Sequence, residues 1–174
     1  MSTLVDELLL LARLDQGPQL ERRPVDLAAV AADAVSDART VQPERPVELD
    51  APGVIVVSGD AARLRQVAAN LISNALEHTS ATTPVHVRVA RSDGTATLEV
   101  ADEGPGLAPE DAARVFDRFF RVDESRSRDD GGSGLGLSIV AAIAHAHGGS
   151  VAVETAPGAG ARFIVTLPID APSP

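Results

Sequence analysis

The residues best suited to phosphate chemistry lie in GGSGLGLSIV, residues 131–140, where a polar run meets an apolar helix. Gly132, Gly134 and Gly136 alternate there, so the backbone can adopt positive φ and approach a ligand without a Cβ in the way. A glycine turn that feeds a helix N-terminus offers free N–H groups and the positive end of a helix dipole, which suits a phosphate. Leu137, Ile139, Val140, Ala141, Ile143 and Ala144 read as the buried face of the helix that follows. A lone glycine run is more often a flexible loop before a core helix, so other residues must decide.

The familiar phosphate loops do not match. A P-loop needs a lysine after its last glycine, and all 15 basic residues here are arginine. The same absence argues against the protein-kinase fold with its strand lysine. The dinucleotide fingerprint needs a third glycine and a preceding strand. Gly134-Leu-Gly136-Leu-Ser-Ile139 has neither.

Two further stretches can do chemistry. In AARLRQVAANLISNALEH, residues 61–78, Leu64, Val67, Ala68, Leu71, Ile72, Ala75 and Leu76 recur at helical spacing. Arg63, Gln66, Asn70, Asn74 and Glu77 line the other side. A solvated face is the default reading of such a stripe. Asparagine is a mediocre helix former, however, and two of them at i and i+4 aim neutral amide oxygens the same way. Such oxygens can ligate Mg²⁺ without adding negative charge beside a triphosphate. The second stretch is DEGPGL, residues 102–107, after a strand. A lone Asp in such a place is usually a turn residue, but the oxygens of Asp102 could also accept the exocyclic amine of adenine.

The elements that must position these groups follow in order. Residues 2–15 form an apolar helix with Leu4, Val5, Leu8, Leu9, Leu11 and Ala12 in a wide stripe, suited equally to a dimerising hairpin or to packing on its own domain. Gly17-Pro18 ends it. Residues 20–25 are extended, and Asp26 caps a helix to about Arg39. Short strands are expected at 47–50 and 54–57, a helix from Asp60, and a hairpin of strands 85–91 and 95–101 about Ser92-Asp93-Gly94. A short helix should carry VFDRFFR, residues 115–121. The helix from Leu135 to His147 and strands near 151–154 and 161–167 complete the chain. The pattern is α/β without strict alternation, which predicts an α+β two-layer sandwich: a mixed β-sheet covered on one face by helices, preceded by one short N-terminal helix.

Composition narrows the function. At 174 residues and 44% hydrophobic, the chain can bury the core of one domain. Its formal net charge of -10 argues against nucleic acid or an anionic membrane as partner. There is no Cys, Trp or Tyr, hence no disulfide framework, no zinc-finger pattern and no aromatic base-stacking surface. His145 and His147 sit two apart on a helix and point to different sides, so they do not make a metal pair; His147-Gly148-Gly149 reads as a glycine-capped helix end. No apolar run approaches the roughly 20 residues of a membrane helix, and the chain is expected to be cytoplasmic.

In order along the chain, NLISNALEHT (70–79), DEGPGL (102–107), VFDRFFRVD (115–123) and GGSGLGLSIV (131–140) resemble the asparagine, first glycine, phenylalanine and second glycine boxes of bacterial sensor histidine kinases. LVDELLLLARLDQG is similar to the end of their second dimerisation helix, and TAPGAGARFIVTLP extends the resemblance almost to the C-terminus. The resemblance implies the Bergerat ATP-binding fold shared with gyrases, mismatch-repair ATPases and a heat-shock chaperone family. It implies a division into residues 1–17 as the end of a dimerisation hairpin, 18–24 as linker, 25–170 as catalytic ATP-binding domain and 171–174 as tail.

Site residues carry over position by position, with ATP and Mg²⁺ as the implied ligands. Asn74 would bind Mg²⁺, with Asn70 beside it at the phosphates and as a second metal contact. His78 would also border the nucleotide. Asp102 would accept the adenine amine, with Gly104, Gly106 and Leu107 bringing backbone close to the base. Gly132, Ser133, Gly134, Leu135, Gly136 and Leu137 would cradle the phosphates, Arg118 or Arg121 would approach the γ-phosphate, and residues 122–133 would form a lid. Hydrolysing relatives often place Glu at the position of Asn70; Asn cannot act as a general base, so transfer to a histidine is the implied chemistry.

The phosphoacceptor context is absent around His78, His86, His145 and His147. The histidine would therefore come from a dimerisation domain of a longer kinase, an inner-membrane sensor, or of a separate subunit, with a response regulator downstream and a possible dimer through the N-terminal helix. Glu77 stands where relatives often carry a basic residue, and Ala161 replaces a common Thr; both predict weaker nucleotide affinity. Two other readings share the fold: a serine kinase of the anti-sigma-factor type, and a non-catalytic nucleotide-dependent interaction module.

Overall fold

The computed structural model describes residues 2–15, 20–122 and 133–169. The lid expected at 122–133, including Gly132, lies almost wholly outside these residues, as do the 171–174 tail and most of the stretch joining the first helix to the rest. Helix α1 (Ser2–Asp15) opens the chain, followed by strand β1 (Arg23–Asp26) and helix α2 (Leu27–Val41). Asp26 caps α2 as expected, and its Oδ1 accepts N–H groups from both Ala28 and Ile55 at 3.1 Å. Because Ile55 also accepts the Leu27 N–H at 2.8 Å, its backbone seals the start of α2. Strand β3 (Val56–Gly59) accordingly begins two residues later than residues 54–57 suggest, and it pairs antiparallel with β1 as a small separate sheet.

The main sheet has the order β2 (Val47–Asp50), β4 (Val85–Ser92), β5 (Thr95–Asp102), β7 (Ala161–Pro168), β6 (Ser150–Thr155). Only β2 with β4 is parallel, so the sheet is mixed. Asp93 at φ 47° and Gly94 at φ 79° turn the β4–β5 hairpin, and this left-handed pair matches the twist of the strands it joins. Val85, Val87 and Val89 of β4, Ala96, Leu98 and Val100 of β5, and Phe163, Val165 and Leu167 of β7 are buried at period two. They face α2, α3 (Ala61–His78) and α5 (Gly136–Ala146), whose buried residues complete the core. The other face carries ion pairs such as Arg162 with Glu154 and Glu99, and Arg88 with Asp50. A two-layer sandwich with helices on one face results.

Helix α1 divides its broad apolar stripe. Leu10 and Leu11 are buried, with the helix set against α5, while Leu4, Val5, Leu8 and Leu9 are 40–54% exposed. Leu11 of the stripe thus packs on the chain's own domain together with Leu10, while Leu4, Val5, Leu8 and Leu9 stay on the surface. Among the described residues no helix is long and apolar enough to cross a membrane.

One expected element moves. The short helix is α4 (Pro109–Ala112), inside the stretch read as loop, because Pro109 at its first positions is pre-set for a helix start. VFDRFFR runs instead through turns, with Phe119 at φ 61°, a conformation that no helix continues through. Phe116 anchors this segment edge-on against Phe163 of β7, with ring centroids 6.2 Å apart.

Candidate functional site

The site is framed by two antiparallel helices, linked from the start and the middle of α3 to the two ends of α5. Asp60 caps α3 by accepting N–H groups from Ala62 and Arg63, and its own N–H donates to His147 Nε2 at 3.0 Å. His147 follows α5, is only 2% exposed, and its Nδ1 lies 2.8 Å from the Ile143 carbonyl oxygen. That pairing assigns the proton to Nδ1 and leaves Nε2 as an acceptor, the neutral tautomer. Burial, aided by the Arg22 charge, pushes the His147 pKa below its ordinary value, against the Ile143 carbonyl and Asp60. Gly59 makes room for the ring, since a Cβ there would stand 2.8 Å from His147 Cδ2. Gly148 at φ 77° then ends α5 as its sequence suggests.

At the other end of the pair, Asn70 Nδ2 donates to the Gly136 carbonyl at 3.1 Å. This bond brings the asparagine stripe of α3 to the first residue of α5, where unpaired N–H groups and the helix dipole favour an anion. Asn74, one turn on, is half-buried on the same face. Gly134 sits at φ 69°, with Phe119 Cα 3.1 Å and Arg121 Cγ 3.5 Å from where a Cβ would be, and Phe119 N–H donates to the Gly134 carbonyl at 3.0 Å. The second glycine turn and the phenylalanine segment therefore meet, with Arg121 beside them. Arg118 is exposed on the same turn. Among the described residues nothing lies within 4 Å of a Cβ built on Gly136, which leaves that flank of the helix start open to them.

A second group of residues closes the far side. Asp102 ends β5, and its Oδ1 accepts the Gly104 N–H at 2.8 Å. Gly106 at φ 66° is pressed so near the β6–β7 turn that a Cβ would fall 2.0 Å from the Ala156 carbonyl oxygen. Gly160 at φ 73° is as close to the Asp102 carbonyl oxygen. Thr155 stitches the two loops, accepting the Leu107 N–H at 2.9 Å and donating to the Gly160 carbonyl at 2.7 Å, and Gly158 N–H donates to Pro105 at 2.7 Å. Ala161 is paired with Asp102 across the sheet.

Several expectations need qualification. Leu135 is fully buried in the core, and its N–H donates to Ser133 Oγ at 3.3 Å. Leu137 is half-buried against the core. Of the glycines expected at positive φ in the second turn, Gly134 adopts it while Gly136 is already helical. His78 and Glu77 are exposed at the end of α3, and the Glu77 carboxylate accepts the Ser73 hydroxyl at 2.6 Å. Thr79, Thr155, His147 and Arg45 do not stand out in the sequence as site residues. Thr79 closes the 70–79 box but has no role assigned by it, Arg45 lies between two prolines in no distinctive pattern, and their roles come from contacts distant along the chain.

A cavity of about 550 Å³ separates α1 from α3, lined by Asp6, Glu7 and Arg13 on one side and Arg63, Gln66 and Asn70 on the other. It reaches the groups above only at Asn70. One oxygen of Glu7 is buried there with no hydrogen-bond partner among the described residues.

Paired helices over a mixed sheet, with one glycine turn at a helix start and another at a strand end beside a carboxylate, define a nucleotide-binding sandwich domain. The chain belongs to the family described as histidine kinase-, DNA gyrase B-, and HSP90-like ATPase, which matches residues 59–171. It is 47% identical over 171 residues to a probable sensor histidine kinase, TcrY, of Mycobacterium tuberculosis, an alignment that covers 98% of this chain and 36% of that protein. Among solved structures, mycobacterial sensor histidine kinase MprB superposes with a TM-score of 0.74 at 31% identity, covering 84% of this chain and 97% of that one. Full-length ShkA in complex with AMPPNP superposes at 0.82 with 32% identity, covering 95% and 35%. The chain spans between 30% and 44% of the length of the curated relatives it matches, and the family match within it is to the ATPase domain.

Proposed function

We propose that this domain binds ATP with Mg²⁺ and delivers the γ-phosphate to a histidine of a dimerisation domain, from which a response regulator receives it. The observation that carries the reading is the bond from Asn70 to the Gly136 carbonyl, which sets a neutral amide at the mouth of a glycine-led helix. Its Nδ2 is committed to α5, so its Oδ1 is the atom left to face a ligand. Together with Asn74 it forms an uncharged oxygen donor set that fits a hard cation already neutralised by phosphates. Mg²⁺ bound there would offset negative charge on the triphosphate. The open flank of Gly136 gives the phosphates room, and Gly134 completes the turn beneath them. Of the two arginines, Arg121 lies beside Gly134 and is the better placed to meet the γ-phosphate. Asp102, held by the Gly104 N–H, accepts the exocyclic amine of adenine, with Gly106 and Leu107 along the base and His78 at its edge.

The transfer is a displacement at phosphorus. A histidine nitrogen lone pair attacks the γ-phosphorus in line, the bond to the bridging oxygen breaks, and ADP leaves with that electron pair while the imidazole releases its other proton to solvent. Arg121 and the N–H groups at the start of α5 stabilise the charge that develops. Asn70 cannot deprotonate water, so hydrolysis stays slow and phosphate is kept for the histidine. Residues 1–17 are the end of the hairpin that carries the phosphoacceptor in a longer chain, and the exposed Leu4, Val5, Leu8 and Leu9 serve a dimer there.

Calorimetric titration with ATP and GTP, each with and without Mg²⁺, tests the reading. Adenine-selective binding strengthened by Mg²⁺ is expected, and equal affinity for GTP or no binding at millimolar ATP would overturn it. Asp102→Asn should weaken ATP by more than about tenfold, roughly 1.4 kcal/mol. Labelled phosphate should pass from ATP to a histidine-bearing dimerisation domain as an acid-labile product.

A further inference from the structure

Arg45 lies between α2 and β2 and is 4% exposed, although it carries a permanent charge. Its guanidinium donates to the Ala75 carbonyl at 3.4 Å, to the Thr79 carbonyl at 3.5 Å and to the Thr79 hydroxyl. That hydroxyl donates in turn to the Ala75 carbonyl at 2.6 Å. These carbonyls belong to the last turn of α3, where the helix leaves acceptors unpaired and its dipole favours a cation. Neutral acceptors at such lengths compensate a buried charge poorly, and the Nε–H finds no partner among the described residues. Burial lowers the Arg45 pKa, and the ionised neighbour that opposes this is Asp102. The ring closes through Thr79, whose Cγ2 stands 2.4 Å from where a Cβ on Gly104 would be, while the Gly104 N–H holds Asp102.

We infer that Arg45 is a positioning residue for nucleotide recognition, fixing Thr79 and the end of α3 against the first glycine turn and keeping a positive charge behind Asp102, so that the carboxylate meets the base in one orientation. The inference rests on the reading of Asp102 as the adenine acceptor. It adds that adenine selectivity is set partly by a residue with no place in the glycine or asparagine boxes. It also explains why Gly104 must lack a side chain at an ordinary φ: the space is occupied by the threonine that Arg45 holds.

The test is nucleotide titration of Arg45→Gln, Arg45→Lys, Thr79→Val and Asp102→Asn, each with ATP and GTP, below the melting midpoint measured for each variant. Arg45→Gln should weaken ATP roughly tenfold while GTP changes by less than about threefold, so that selectivity falls. Arg45→Lys keeps the charge but loses the fork, and it should recover part of the selectivity. Thr79→Val keeps the shape of the contact with Gly104 but not the hydroxyl, and about a threefold loss for ATP is expected. If Arg45→Gln does not fold, the Lys and Val variants carry the comparison. Variants that melt lower yet keep the wild-type ratio of ATP to GTP affinity would make Arg45 purely structural and overturn the inference. Should Asp102→Asn itself leave ATP affinity unchanged, the adenine reading fails first; a strong effect of Asp102→Asn with none from Arg45 and Thr79 defeats only the positioning role of Arg45.

Discussion

The two halves of the site are built by opposite means. Around Asp102, the first glycine turn is tied to the β6–β7 turn by Thr155, Gly158 and the close approach of Gly106 and Gly160, and to α3 through Thr79 and Arg45. Around Gly134 and Gly136, the contacts among the described residues include the Asn70 amide, the Phe119 N–H and the bond from the Leu135 N–H to Ser133, and a Cβ on Gly136 would meet none of those residues. On the proposed reading, the base side is fastened by its own loops, whereas the helix start that would take the phosphates has space beside Gly136 among the described residues. A rigid base is recognised best by a pocket that is already ordered, because little entropy is then lost on binding. On the same reading, the space beside Gly136 would leave room for a phosphate chain that must be handed on.

Glycine substitutions test this contrast most sharply. Gly160→Ala would place a Cβ 2.0 Å from the Asp102 carbonyl oxygen at φ 73°, so backbone must shift. A loss of about 3 kcal/mol or more in urea unfolding is expected, from a strained left-handed residue plus overpacking. Gly136→Ala meets nothing within 4 Å among the described residues, and helix propensity should make the unliganded protein more stable by about 0.5–1 kcal/mol. The same variant should bind ATP more weakly, since its methyl enters the open flank. If both substitutions destabilise alike, the halves are not different in kind.

Asn70→Ala removes the bond to Gly136 and one ligand oxygen, and should cost about 1 kcal/mol of stability together with nearly all phosphotransfer. Asn74→Ala should remove most of the Mg²⁺ dependence of ATP affinity while leaving metal-free binding near wild type. The smallest effect is expected at the exposed Glu77: Glu77→Arg should raise ATP affinity by less than about 1 kcal/mol, and the gain should shrink with added salt. A loss of affinity would mean that its bond to Ser73 matters more than its charge.

The far ends of the helices carry a pH dependence with a definite sign. The His147 pKa is lowered by burial, so the unfolded chain takes up the proton first as pH falls. Full stability is present above the ordinary histidine value of about 6.5. It declines below that until the folded form is itself protonated, because imidazolium cannot accept the Asp60 N–H. Melting midpoints between pH 7.5 and 5 (chosen to span about 6.5) should fall for the wild type and fall less for His147→Gln.

Much of the frame was legible in the sequence, because periodicity and caps act locally: Asp26 and Asp60 start their helices, and Asp93-Gly94 turns its hairpin. The candidate site residues were legible as boxes, since asparagine in a helix and glycine at a strand end are unusual enough to be noticed. The supporting residues were not. Thr155, Thr79 and Arg45 gain their roles from neighbours that the sheet brings together, such as Leu107 against Thr155. The misplaced helix has a similar cause: VFDRFFR has helical composition, but docking of Phe116 on Phe163 and the bond from Phe119 to Gly134 hold it in turns.

The double fastening of α3 to α5 gives the pair the mechanics of tweezers. The pivot is the His147 ring on the Asp60 amide, and the tips are Asn70 and Gly136. With 11 residues in α5, the arm is roughly 16 Å long. A swing of about 3–4° at the pivot therefore displaces the tip by about 1 Å on that arm, the difference between a hydrogen bond made and one lost. On the proposed reading, a shift in the packing of His147 would reach the phosphate end of the helix through this arm.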